Sequence, residues 1–314
     1  MIKRIQNKVA GSRLTLAVTS LYGVGIWGVS GLVSQGWWIQ FICFALATYL
    51  MVELNNSNAL IRIYSRTVSS AFIILSGVLC FLFPIMEVGI SELCLVASLL
   101  TLFHTYQDKA TMGWTFYTFL LLGLVSLLWV HVFWLVPFYW IAMLYFISSL
   151  SWRNFFASLI GLVLPYWFLA AGVFIRYKGD FALFTDHFAP LATFPIPIDY
   201  SGLTIPQKLS YGFVLLLSIT GIIHFFRTSY NDRLRVRQTY ECLILFNVAS
   251  LAFIAILPQH YNLFIEMAII TASPLIAHFI TLTNTRITNI AFFVIIGTAL
   301  ILTGLHLWMS SFIF

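Results

Sequence analysis

Charge is what this sequence has least of. Only 8% of its 314 residues are Asp, Glu, Lys or Arg, against roughly 25% in a soluble domain, so a water-soluble globule is excluded. Intrinsic disorder is excluded too, because disordered chains lack the aliphatic and aromatic residues that dominate here, with 61% hydrophobic and 17% aromatic residues and a mean hydropathy of +0.97. Cysteine is scarce: Cys43, Cys80, Cys94 and Cys242 lie in or beside apolar runs. They show neither CxxC nor Cys/His spacing, so no zinc site or disulfide framework is indicated. The histidines show neither HxxxH nor HExxH spacing, so no metal and no cofactor is expected. The formal charge of +6 is dispersed along the chain, whereas a nucleic-acid interface needs clustered bases. What remains is an integral membrane protein whose first partners are membrane lipids.

A helix crosses the hydrocarbon core with about 20 apolar residues. Eleven runs approach that length: Leu14–Val33, Trp37–Val52, Val68–Phe83, Ile90–Thr105, Thr115–Val130, Val132–Leu150, Phe155–Ile175, Tyr211–Phe226, Cys242–Leu257, Leu263–Thr281 and Ile290–Met309. The distribution of basic residues tests that count, because Lys and Arg collect on the cytoplasmic side. With the N-terminus inside, 13 of the 16 fall on the cytoplasmic face, leaving Arg176, Lys178 and Lys208 outside. The expected fold is therefore an all-α, polytopic transmembrane helix bundle of about eleven spans, N-terminus cytoplasmic and C-terminus periplasmic. Residues 1–314 form a single transmembrane domain. Tyr177–Ser210 is a long outer loop whose prolines disfavour a long helix, and Arg227–Glu241 is a basic inner loop.

Gly23, Gly25 and Gly28 match GxGxxG, but that fingerprint works only between a strand and a helix, and this one sits in an apolar run. Gly25, Gly28 and Gly31 read instead as a small-residue strip for close helix contact, or as a kink. Glu266 is more informative, because an ionisable group inside a membrane is expensive and marks function by default. Asn262, Glu266 and Ser273 share one helical face. Pro274 loosens the adjacent backbone ladder, freeing a carbonyl to bind something. The alternative is that Glu266 lies one turn inside the boundary and reaches water by itself. The outer loop supplies Arg176, Lys178, Asp180, Asp186 and His187, a set able to hold phosphate and act as a base, or simply a solvated loop. Arg233, Arg235 and Arg237 are placed to meet anionic headgroups or a partner protein.

At Leu54-Asn55 with Arg62 and Arg66, at Trp152-Arg153 followed by Gly161 and Pro165-Tyr166, and at Asn231-Asp232-Arg233-Leu234-Arg235-Val236-Arg237, the chain resembles an uncharacterised family of short multi-pass bacterial inner-membrane proteins. That resemblance implies an envelope role in a Gram-negative bacterium and brings no catalytic residue with it. A second likeness, of architecture alone, is to polytopic glycosyltransferases and glycan polymerases or ligases that use polyprenyl-linked sugars.

The function expected from these features is binding and transfer or translocation of an amphipathic, lipid-linked glycan precursor at the outer face of the cytoplasmic membrane. Glu266, Asp180, Asp186 and His187 are the candidate catalytic groups, and Arg176, Lys178, Asn262 and Ser273 the candidate substrate contacts. The alternatives are a non-catalytic scaffold or subunit of an envelope complex, and a proton-coupled transporter.

Overall fold

A computed structural model of the chain describes residues 4–177, 182–192 and 198–310. Thirteen α-helices follow in order: α1 (Ile5–Ala10), α2 (Thr15–Ser30), α3 (Trp38–Asn58), α4 (Thr67–Val78), α5 (Met86–His104), α6 (Met112–Leu128), α7 (Val136–Ile141), α8 (Trp152–Tyr177), α9 (Ala182–Ala192), α10 (Ile205–Thr228), α11 (Leu234–Ile256), α12 (Tyr261–Leu282) and α13 (Arg286–Ser310). No strand occurs among the described residues. Among the described residues seven helices are long and apolar enough to cross a membrane; Thr15–Ser30, Thr67–Val78, Met112–Leu128 and Val130–Phe146 form apolar helical segments that are shorter.

The short segments have local causes. Helix α2 stops at Gly31, whose φ of 119° suits a residue without Cβ. After α4 the chain tightens into a 3₁₀ turn at Cys80–Leu82 before Pro84, which cannot continue a ladder. The 130–146 stretch changes pitch twice, from a 3₁₀ turn through α7 to a π-helical turn at Ala142–Phe146. Both long polar connections are partly helical. In 177–210 the chain forms α9 and then restarts at α10, where Thr204 and Gln207 make a capping box and Pro206 stands in the first turn. In 227–241 only residues 229–233 lie between α10 and α11.

Helix α12 is the axis of the bundle, packed by α4, α5, α10 and α11, and its residues 263–281 are all buried. Around it the outer helices carry apolar side chains on their outward faces, such as Leu21, Phe168 and Ile175, an arrangement that requires a lipid surround. Trp38, Trp114, Trp152 and Trp308 are exposed close to helix ends, as an aromatic belt demands.

The expected glycine strip on α2 is overturned, because a Cβ at Gly25 or Gly28 would meet nothing within 4 Å. These residues face outward, and Gly31 serves the helix end. Close approaches to another helix's backbone lie instead elsewhere, most tightly between α6 and α8. A Cβ at Gly123 would stand 2.7 Å from the Leu162 carbonyl oxygen, and one at Gly161 would collide with the Phe116 carbonyl.

Candidate functional site

Glu266 faces another acid. Its carboxyl and that of Glu92 on α5 line one small cavity, close enough to perturb each other, and Ser76 Oγ on α4 donates to Glu92 Oε1 at 3.0 Å. Both glutamates are buried. Beside the pair lies a cavity of about 20 Å³ whose lining includes Trp27, Gln40, Phe83 and Gly89, room for about one water molecule. Glu266 Oε2 and the Trp27 indole nitrogen have no hydrogen-bond partner among the described residues. Glu266 therefore does not reach bulk water by itself; residues of α2, α3, α4 and α5 enclose it.

Twelve residues further along α12, about 18 Å at 1.5 Å per residue, His278 forms a second ionisable cluster. Its Nε2 lies 3.1 Å from Asp232 Oδ2, and Arg62 Nε is 3.8 Å from the other oxygen of that carboxylate. The His224 ring stands 5.3 Å from the His278 ring, and Nδ1 of His278 has no hydrogen-bond partner among the described residues. Polar groups occupy the levels between. Asn247 Nδ2 donates to the Ala268 carbonyl and to Thr271 Oγ1, and Tyr240 donates to the carbonyl of Pro274.

Two segments far apart in sequence build the second cluster. Arg62 also donates to the Asn231 carbonyl, Arg235 to Asn58 Oδ1, and Arg66 to Asn56 Oδ1, while Asn55 holds the Ser65 carbonyl. The α3–α4 connection is thereby clamped to the α10–α11 connection. Arg235 and Arg233 are both exposed, but Arg235 also lies 5.3 Å over the Tyr106 ring. Arg237 is half-buried, its Nε without a hydrogen-bond partner among the described residues.

The other expected site residues stand apart from Glu266. Asn262 accepts from Gln207 at 3.4 Å, and Ser273 donates to Ile269 within its own helix at 2.6 Å. His187 on α9 contacts the Ser126 carbonyl at 3.0 Å and the Tyr166 hydroxyl at 3.3 Å, and Asp186 beside it is exposed. Arg176 is in the last turn of α8, its side chain outside the described set, and Lys178 and Asp180 lie outside the described residues. Of the described side chains, Asn262, Ser273, Asp186 and His187 do not line the cavity beside Glu92 and Glu266.

Glu92 and Asp232 are the groups that the sequence pattern did not single out. Glu92, five residues after Glu87 at the head of an apolar run, resembles a span boundary; its signal was being an acid within helical reach of that run's interior. Asp232 hid among arginines. Among the described residues no group of three or more His, Cys, Asp or Glu is arranged to hold a metal ion. The chain matches no protein-family model, no curated protein and no solved structure.

Proposed function

We propose that the chain is an eleven-span protein of the bacterial inner membrane, N-terminus cytoplasmic, that translocates an amphipathic, lipid-linked envelope precursor and couples that movement to protons exchanged along α12. One observation carries the proposal: the most deeply buried helix bears a carboxyl pair at one level and a His–Asp pair about 18 Å further along, with polar groups between them. Ionisable groups in a bilayer are costly and recur in proton relays. The four shorter apolar segments complete the count of eleven by locally thinning the bilayer around them. Translocation is preferred to group transfer because, among the described residues, neither Asp186 nor His187 lines the cavity beside Glu266.

The test is reconstitution of the full chain into vesicles with a fluorescent polyprenyl diphosphate sugar and an imposed pH gradient. Transbilayer movement of the probe is expected to follow the gradient, to be lost in Glu266→Gln and His278→Asn, and to persist in Asp186→Asn. Movement that ignores the gradient, or that survives both α12 substitutions, overturns the proposal.

A further inference from the structure

A lateral cleft opens between α2 and the α4–α13 face. Its volume is about 370 Å³, at the scale of ligand sites. Val18 and Tyr22 line one side, Ile74, Ile296 and Leu300 the other. The cleft leads inward: Thr19, Ile74 and Ile296 also line an adjoining chamber of about 90 Å³, which reaches Phe213 and Leu217 of α10 and Ile276 and Ile280 of α12. The hydroxyls on this route are already used. Thr15 donates to the Val9 carbonyl, Thr19 to Thr15 and Ser70, and Thr67 pairs with Thr281. The walls thus present hydrocarbon with little unmet polarity.

Two cations adjoin the mouth in sequence without lining it. Ser12 and Leu14 line it on either side of Arg13, and Val9 lines it beside Lys8. Arg13 and Lys8 are both exposed, and no acidic residue lines the cleft or the chamber. A protein helix, about 10–12 Å across with its side chains, is too thick for a chamber of about 90 Å³, whereas a hydrocarbon chain fits.

We propose that this cleft binds an anionic lipid, its tail running from the membrane toward α12 and its phosphate held at the mouth by Lys8 and Arg13. The assignment deepens the function proposed above and rests on its premise of a lipid-linked substrate.

The experiment is native mass spectrometry of the full chain titrated with a polyprenyl phosphate, and separately with phosphatidylcholine and inorganic phosphate. One polyprenyl phosphate is expected to stay bound, in preference to both comparators. Val18→Trp, which fills the mouth from an outward-facing position, is expected to weaken retention at least about ten-fold. Lys8→Gln/Arg13→Gln is expected to weaken it about 25-fold, at about five-fold for each headgroup-facing cation removed. An unfolding temperature equal to that of the unsubstituted chain shows that each variant is folded; if Val18→Trp is not, Leu300→Trp on the facing wall replaces it. Retention unchanged in the folded variants, equal retention of phosphatidylcholine, or a second copy of the chain as the occupant overturns the assignment. Lipid retained by a chain whose transport ignores a pH gradient refutes the proton coupling alone. Gradient-driven transport without retention in the cleft refutes the cleft assignment alone.

Discussion

The contact between Glu92 and Glu266 predicts a thermodynamic cycle with a definite sign. In Glu266→Leu, Glu92 keeps Ser76 as its hydrogen-bond partner and loses the neighbouring carboxyl that lines the same cavity, in a site that excludes bulk water. A buried polar group so deprived costs about 1–3 kcal/mol. For a chain of this size that lowers the unfolding temperature by about 2–10 °C. Glu92→Leu strands Glu266 in the same way, with Oε2 already lacking a hydrogen-bond partner. In the double leucine variant no carboxyl remains to be stranded, and replacing both partners by apolar groups is close to neutral. The double variant is therefore expected to lie at least about 1 kcal/mol above the sum of the singles. Glu266→Gln keeps a donor toward Glu92 and is expected to stay within about 1 kcal/mol of the unsubstituted chain while losing proton exchange. The assay is thermal unfolding of the four purified chains in one detergent. Effects that add to within about 0.5 kcal/mol would refute contact between the two carboxyls.

Gly161→Val places side-chain atoms against the Phe116 backbone, and overpacking of this kind is expected to cost about 3 kcal/mol, seen as loss of folded monomer on size exclusion; Gly25→Val, facing outward, is expected to leave the yield unchanged. Asp232→Ala removes the hydrogen bond to buried His278 and the ion pair to Arg62, for an expected loss of about 1.5–3 kcal/mol and faster proteolysis between α10 and α11. The backbone amide and then the hydroxyl of Ser201 hold the Asp199 carboxyl below its ordinary range. A depressed folded value means that this turn's stabilisation is complete above about pH 4 and fades as pH falls through that lower value. Hydrogen exchange at the Ser201 amide should show that loss of protection on acidification, and Asp199→Asn should abolish the pH dependence.

Much of the architecture is legible from side-chain chemistry along the chain. Each of the eleven apolar runs coincides with helical structure, because in a bilayer the backbone satisfies its own polar groups within the segment. Hydropathy and helix therefore mark nearly the same residues. The helix ends are less legible: α3 runs six residues past Val52, through Glu53 to Asn58, because Leu54, Asn55 and Asn58 of that extension are buried against neighbouring structure, which hydropathy does not register. The α2 glycines show a second limit, since their spacing described a smooth face without revealing whether another helix lay against it.

The sites divide along the same line. That Glu266 is an expensive charge in an apolar run follows from composition and needs no tertiary knowledge. That its partner is Glu92, 174 residues earlier, depends on how α4, α5 and α12 pack. The same holds for Asp232 with His278, for Arg62 with the Asn231 carbonyl and for Arg235 with Asn58. Hydrophobicity is a property of each residue and its immediate neighbours, so partition into a membrane is written locally along the chain. Pairing of buried polar groups is a property of distances between helices, and only the packed bundle sets those distances.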